Sequence, residues 1–254
     1  MMRVLEATLQ IPYAGIGPDG RMKFPVLLDI FQDMADRDAR RMDMSVANLL
    51  PRGVSWVLRR YSIRVDRYPV HGRELHVTTW HEPHRNLYSM RAFEMRDDDG
   101  TFATALTCWI LIDVGRGRPI RLDRCSTPLY VSEARPVAGD LPDLPPFDGE
   151  DFEVPFRIRE WDLDLNGHVN NAVYFAWAAE AVPDGVLRGR AISHVEAEFL
   201  RPTEGRGLVS VRTQTMESPS GVRSYLHSVL GADGAERARL FTEGSPRPAG
   251  AADS

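Results

Sequence analysis

Lysine is almost missing from this chain of 254 residues: Lys23 is the only one, and arginine supplies nearly all of the 31 basic side chains set against 36 acidic ones. That bias fits arginine-rich codon usage or sites that recognise carboxylate and phosphate. A formal net charge of −5 argues against a general nucleic-acid binder, which carries a basic excess or a basic stripe. Cysteine is scarce too. Cys108 and Cys125 are too few for a disulfide framework or a zinc site, so a reducing, cytoplasmic setting is expected. No run of about 18 apolar residues occurs, and the first residues lack a charged segment followed by a long apolar one, so neither export nor a membrane anchor is expected. What remains, 43% hydrophobic and 26% charged, is the composition of an ordinary globular protein with enough apolar surface for a sizeable core.

Leu5 to Tyr13 alternates like a strand, and Gly15, Gly17, Pro18, Asp19 and Gly20 make an irregular connection. Pro25 suits a first helical turn, and Val26, Leu27, Ile30, Phe31, Met34 and Ala35 recur at helical spacing opposite Asp33, Arg37 and Arg40, which predicts a helix reaching into the forties. Four strand-like runs follow, VSWVLRRYSIRVDRY, RELHVTTWHE, LYSMRAFEMRD and TFATALTCWILIDV, with an Asp99-Gly100 turn before the last. A basic loop, GRGRPIRLDR, precedes a stretch from Pro136 to Pro155 rich in proline and acid, which reads as a linker.

The second half repeats this order. FEVPFRIREW reads as a strand, a loop follows, and a helix is expected from about Val169 until Pro183 and Gly185 stop it. Four strand-like runs close the chain, again with an Asp-Gly turn, Asp233-Gly234, before the last. The repeated order predicts an internal duplication: an N-terminal domain over 1–135, a linker over 136–150, a C-terminal domain over 151–246 and a disordered tail over 247–254. Strands joined by hairpins instead of alternating with helices favour an α+β antiparallel class over a parallel one.

Chemistry concentrates in Trp161 to Pro183, WDLDLNGHVNNAVYFAWAAEAVP. Were the chain extended there, Asp162, Asp164, Asn166 and His168 would share one face, while Leu163 and Leu165 pointed into a core. Gly167 permits a sharp change of direction before the helix brings its free N–H groups to the same place. A carboxylate, an amide and an imidazole are what an acyl-transfer site needs as base or nucleophile, oxyanion donor and proton carrier. The plain alternative is a helix cap beside a surface histidine. Asp162, Asp164, Asn166 and Gly167 also match the opening of a calcium loop, but Val173 stands where its bidentate glutamate belongs.

The run from Asp164 through Asn166, His168, Val169, Asn170 and Asn171 to Tyr174 resembles the second-domain signature of acyl-acyl carrier protein thioesterases of the bacterial type. Trp177, Glu180 and Pro183 continue the likeness. FQDMADRDA, GVSWVLRRYSIRVDRYP, TTW and CWILIDVGRGRPIR extend it through the first half. The resemblance implies two tandem hotdog domains, each a long central helix wrapped by an antiparallel sheet, so that one chain mimics a hotdog dimer; a further homodimer is compatible with it. It implies hydrolysis of fatty acyl-acyl carrier protein in the cytoplasm, without cofactor, metal, nucleic acid or membrane, with acyl-CoA hydrolysis or a non-catalytic acyl or carrier-protein binder as the alternatives. Asp164 is then nucleophile or general base with His168 and Asn166 as partners, and Asn170, Asn171 and Tyr174 contact substrate; Trp56 and Trp80, with Trp109, are read from the strands themselves as lining of an acyl tunnel or as plain core.

One departure stands out. The family places a glutamate and a cysteine where this chain has Pro202 and Thr203; Glu204 lies two residues further and substitutes only if the loop shifts, being otherwise a plain surface carboxylate. With both cysteines in the first half, a carboxylate mechanism is preferred to a thiolate one. His81 and His84 form H-x-x-H without a third ligand and read as a solvated turn. Arg59, Arg60, Arg64, Arg67, Arg116, Arg118, Arg121 and Arg124 suit an acidic carrier protein or a CoA phosphate, or are the solvated face of a sheet.

Overall fold

Alternating strands separated by glycine and proline pair antiparallel within each of two units, and each unit has one principal helix. The computed structural model describes residues 4–85, 87–122, 140–182, 190–216 and 222–246, and the chain divides into two units, Met1–Leu141 and Pro142–Ser254.

In the first unit β1 (Leu5–Gln10) leads to helix α1 (Phe24–Arg40) and a short α2 (Val46–Leu49), followed by β2 (Val54–Val65), β3 (Glu74–Arg85), β4 (Tyr88–Asp97), β5 (Gly100–Asp113) and β6 (Arg118–Ile120). The order in the sheet is β1, β3, β4, β5, β2, with β6 paired to the end of β5. The expected helix stops at Arg40, short of the forties, and the basic loop holds the three-residue β6 that no sequence pattern announced. Pro25 sits in the first turn of α1, and Phe24, Leu27, Leu28, Phe31 and Met34 form its buried stripe, which Asp38 continues. Phe31 packs on Phe93 of β4 with ring centroids 4.8 Å apart. The opposite face of this sheet is apolar as well: Trp80, Ala92 and Leu106 pack with Val4, Met90 and Leu141. Leu141 thereby ties the start of the proline-rich stretch to the first unit, and its carbonyl accepts from Arg60 Nη1 at 2.8 Å.

In the second unit β7 (Phe152–Arg157) precedes helix α3 (Asn171–Glu180), and β8 (Arg190–Phe199), β9 (Leu208–Met216), β10 (Arg223–Gly231) and β11 (Glu236–Pro246) complete the sheet. Their order is β8, β11, β10, β9, β7. Pro155 is tolerated because β7 is the edge strand and pairs with β9 alone. Helix α3 is shorter than expected, beginning at Asn171, where Asn170 caps it by accepting from Ala172 N at 2.9 Å. Tyr174, Phe175, Trp177 and Ala178 are its buried side chains. Phe199 of β8 meets Tyr174 edge-on at 5.5 Å and Phe175 at 6.2 Å.

A polar thread runs through this second core. His227 is wholly buried, with Nδ1 and Thr213 Oγ1 2.9 Å apart and Nε2 and Thr242 Oγ1 also 2.9 Å apart. Burial pushes its pKa down from 6.5 to about 3. Between those values the unfolded chain binds a proton that the fold excludes, so stability is full above pH 6.5 and declines as pH falls toward 3. A His227→Gln variant keeps polar partners for the threonines but does not titrate. In urea denaturation from pH 6.5 down, its stability is expected to fall less steeply than that of the parent, by up to about 1.4 kcal/mol per pH unit. Parallel slopes would remove His227 from the account.

Candidate functional site

Between β7 and α3 the chain is not extended as the alternation suggested. Glu160 to Asp162 form one 3-10 turn, in which Asp162 Oδ2 accepts from Arg159 N at 2.7 Å. Asp162 therefore caps that turn and does not join the proposed catalytic face. Leu163 and Val169 then bridge in antiparallel fashion and close a tight loop over 164–168. Inside it Asp164 N donates to His168 O at 2.7 Å and Gly167 N to Asp164 O at 3.0 Å. Gly167 has φ +73°, a left-handed conformation that glycine adopts without steric cost. Leu165 is 81% exposed at the loop tip, so it points to solvent, against the expectation that it enters a core.

The loop fixes its own carboxylate. Asp164 Oδ1 accepts from Asn166 N at 2.8 Å and from His168 N at 3.2 Å, while Oδ2 takes no hydrogen bond among the described residues. An aspartate hooked to the backbone two and four residues on is a familiar turn device. Here it also holds one carboxylate oxygen rigid and leaves the other available.

His168 faces Glu204. Their backbones form an isolated antiparallel bridge, and Nε2 lies 3.5 Å from Glu204 Oε1, with the imidazole 38% and the carboxylate 73% exposed. At this separation the two side chains are in contact short of a hydrogen bond, which a shift of about 0.5 Å closes. Next to Glu204, Thr203 O accepts from Val169 N at 2.9 Å, and Thr203 Oγ1 accepts from the Tyr174 hydroxyl at 2.8 Å. The structure thus sets Glu204 beside His168. Asp164, Asn166, His168 and Glu204 come together on one loop and its neighbouring segment. Thr203 was the residue that sequence reasoning passed over; its place beside Tyr174 follows from the pairing between 168 and 204, which no periodicity reveals.

Other expected site residues have local duties. Asn170 is the cap of α3, Asn171 opens that helix, and Tyr174 is buried with its hydroxyl on Thr203. Trp56 and Trp80 belong to the first unit. Trp56 Nε1 donates to Met44 O at 2.8 Å and its ring packs on the Met44, Leu49, Leu111 and Leu122 cluster. Trp80 is 3% exposed, with Nε1 2.7 Å from Glu82 Oε1. His81 corrects the solvated-turn reading: it is buried, and Arg91 Nη2 donates to its Nε2 at 2.5 Å. The His84 side chain, Arg124 and Cys125 lie outside the described residues. Arg67 is spent on Asp97, whose carboxyl it holds below the usual range. Among the described residues no group of three or more His, Cys, Asp or Glu could hold a metal ion, and no helix is long and apolar enough to cross a membrane.

The first unit carries a backbone copy of the same loop. Ile16 and Met22 bridge as Leu163 and Val169 do, and Arg21 bridges Val70 as His168 bridges Glu204. Gly17 N donates to Arg21 O at 2.7 Å, Gly20 N to Gly17 O at 3.0 Å and Met22 N to Pro69 O at 2.9 Å. Gly20 has φ +73°, the same as Gly167. In this copy Gly17 stands for Asp164, Asp19 for Asn166, Arg21 for His168 and Val70 for Glu204, so backbone geometry persists where the acid and the imidazole are gone.

An antiparallel sheet with one principal helix, entered through such a loop, is the arrangement of hotdog-like folds. The chain belongs to the acyl-ACP thioesterase family: residues 3–125 match the acyl-ACP thioesterase N-terminal domain and residues 147–243 the C-terminal domain. It is 27% identical over 252 residues to a chloroplastic acyl-[acyl-carrier-protein] hydrolase of Cuphea viscosissima, covering 93% of this chain and 61% of that relative. It is 25% identical over 260 residues to the dodecanoyl-[acyl-carrier-protein] hydrolase of Umbellularia californica, covering 96% and 68%. The chain thus spans about three fifths of the Cuphea relative's length. Among solved structures, an acyl-ACP thioesterase from Bacteroides thetaiotaomicron superposes with TM-score 0.86 at 19% identity, covering 96% of this chain and 98% of that one. The 12:0-ACP thioesterase from Umbellularia californica superposes with TM-score 0.84 at 23% identity and the same coverage.

Proposed function

We propose that this protein hydrolyses fatty acyl thioesters carried by acyl carrier protein, releasing the fatty acid and the carrier thiol. The observation that carries the reading is the loop over 164–168, which fixes the Asp164 carboxylate on the backbone of Asn166 and His168 and sets the His168 imidazole against a second carboxylate at 204. The names of the relatives, acyl-[acyl-carrier-protein] hydrolases from two plants, support the choice of carrier.

Asp164 takes a proton from the water that attacks the thioester carbonyl, or attacks the carbonyl itself to give a mixed anhydride that water then hydrolyses to free acid; in either route protonated His168 gives its proton to the departing thiolate and regains one from the water, and Glu204 steadies the imidazolium. The Asn166 amide helps hold the oxyanion. Water or carboxylate adds to the carbonyl, the C–S bond breaks, and the thiolate leaves as thiol, so no oxidant, metal or cofactor enters the balance. We take the two units as tandem hotdogs, a reading supported by the matching loops at 16–22 and 163–169, and we place the protein in the cytoplasm.

Purified protein offered acyl-carrier-protein and acyl-CoA panels with a thiol reagent separates the carriers. Faster thiol release from carrier protein at equal chain length is expected; faster release from acyl-CoA would reassign the substrate.

A thiol mechanism is disfavoured by position. Cys108 is buried in β5, and burial pushes its thiol up, with Arg60 and Arg59 opposing. A Cys125→Ser variant treated with iodoacetamide is expected to turn over within about twofold of the untreated parent. Rapid inactivation would restore a thiolate route.

A further inference from the structure

Glu204 reaches His168 although it lies two residues past the glutamate position of its family, so something holds the 203–204 segment in place. Thr203 is 5% exposed and Tyr174 3%. The Tyr174 ring is wedged edge-on between Trp177 at 5.4 Å and Phe199 at 5.5 Å, which fixes where its hydroxyl ends. That hydroxyl donates to Thr203 Oγ1 at 2.8 Å, and Thr203 O accepts from Val169 N at 2.9 Å. Residue 203 is thus gripped by its side chain from α3 and by its carbonyl from the exit of the 164–168 loop. The next residue is the one whose backbone pairs with His168. A displaced Thr203 necessarily moves Glu204.

We propose that Thr203 is a positioning residue of the hydrolytic site, held by Tyr174 so that the Glu204 carboxylate meets the His168 imidazole. This rests on the thioesterase reading of the same loop. Tyr174 accordingly acts through Thr203 and does not touch the acyl chain. Removing either hydroxyl breaks the side-chain contact that ties residue 203 to α3. Burial raises the Tyr174 phenol above its ordinary range, against the pull of Thr203 and Arg237 and with a contribution from Asp164, so it remains a protonated donor through neutral pH.

The test compares Thr203→Val, Thr203→Ser, Tyr174→Phe and the Tyr174→Phe/Thr203→Val double variant by two readouts: steady-state thiol release from acyl-carrier protein, and the ring 15N shifts of His168. Thr203→Val and Tyr174→Phe are each expected to lower kcat roughly ten- to hundredfold with little change in KM, the scale of a small misplacement of a reacting group. The double variant should be no worse than either single one, because both remove one contact, and Thr203→Ser should restore turnover. The His168 ring signals should move in Thr203→Val as they move in Glu204→Gln. Additive losses, failure of serine to restore, or His168 signals untouched in Thr203→Val would overturn the proposal. If the parent releases no thiol from any thioester, the hydrolytic reading has failed, and the His168 signals still decide whether Thr203 positions Glu204.

Discussion

Asp164→Asn is expected to lower the rate of thioester hydrolysis by roughly two to four orders of magnitude, the range for removing a positioned general base or more. The substitution preserves shape. Asparagine can keep its Oδ1 on the backbone N–H groups of Asn166 and His168, which now hold the Asp164 carboxylate at 2.8 and 3.2 Å. What it loses is the negative oxygen on the other side, the atom proposed to attack or take the proton. Stability in urea should therefore match the parent while kcat collapses, and a variant that retains near-normal turnover would move the centre elsewhere. Glu204 is the first alternative, since its carboxylate is the other one at His168.

The largest expected effect on stability lies in the first unit, at Asp38. Its side chain is 9% exposed, and Oδ2 accepts from Arg91 Nη2 at 3.0 Å, the guanidinium being only 4% exposed. Arg91 also donates to Thr79 Oγ1 at 3.1 Å and to His81 Nε2 at 2.5 Å, so the cation is held entirely by neighbours under α1. Burial pushes the Arg91 pKa down and Asp38 opposes that push. Asp38→Asn leaves a buried cation facing a neutral amide, and a loss of about 3–5 kcal/mol is expected in urea denaturation. Replacing both partners, as in Asp38→Leu/Arg91→Met, removes the uncompensated charge, so the double variant should recover most of that loss. A double variant as unstable as Asp38→Asn would show that packing, not charge, governs this position.

The same residues explain what the sequence could and could not reveal. The order of elements was legible because apolar alternation, the two Asp-Gly turns and Pro25 act locally, although the first strand ends at Gln10 and β7 at Arg157, short of where the alternation ran. Asp38 was hidden because helical spacing marks which positions face inward, not which charge will find a partner there. Arg91 was equally hidden among strand arginines whose default is a solvated face. The types of residue at the hydrolytic loop could be named from the string Asp164 to Tyr174. Their arrangement could not, because Asp164 bonds its own backbone and Gly167 turns left-handed. Those two local choices replace the extended zigzag that would have aligned Asp162 with Asp164. The place of Glu204 needed a long-range pairing, 36 residues from His168 in sequence, that only the folded second unit supplies.

The loops at 16–22 and 163–169 share their backbone hydrogen bonds although Gly17 and Arg21 stand in one where Asp164 and His168 stand in the other. The turn therefore closes without the carboxylate.

The most direct measurement is product analysis with the parent protein in excess over a single acyl-carrier protein. Free fatty acid and carrier thiol should appear one for one, each at a rate that Asp164→Asn lowers by roughly two to four orders of magnitude. Acyl-carrier protein that binds tightly but is recovered intact, with neither acid nor thiol formed, would contradict the account and leave a protein that holds acyl chains without cutting them.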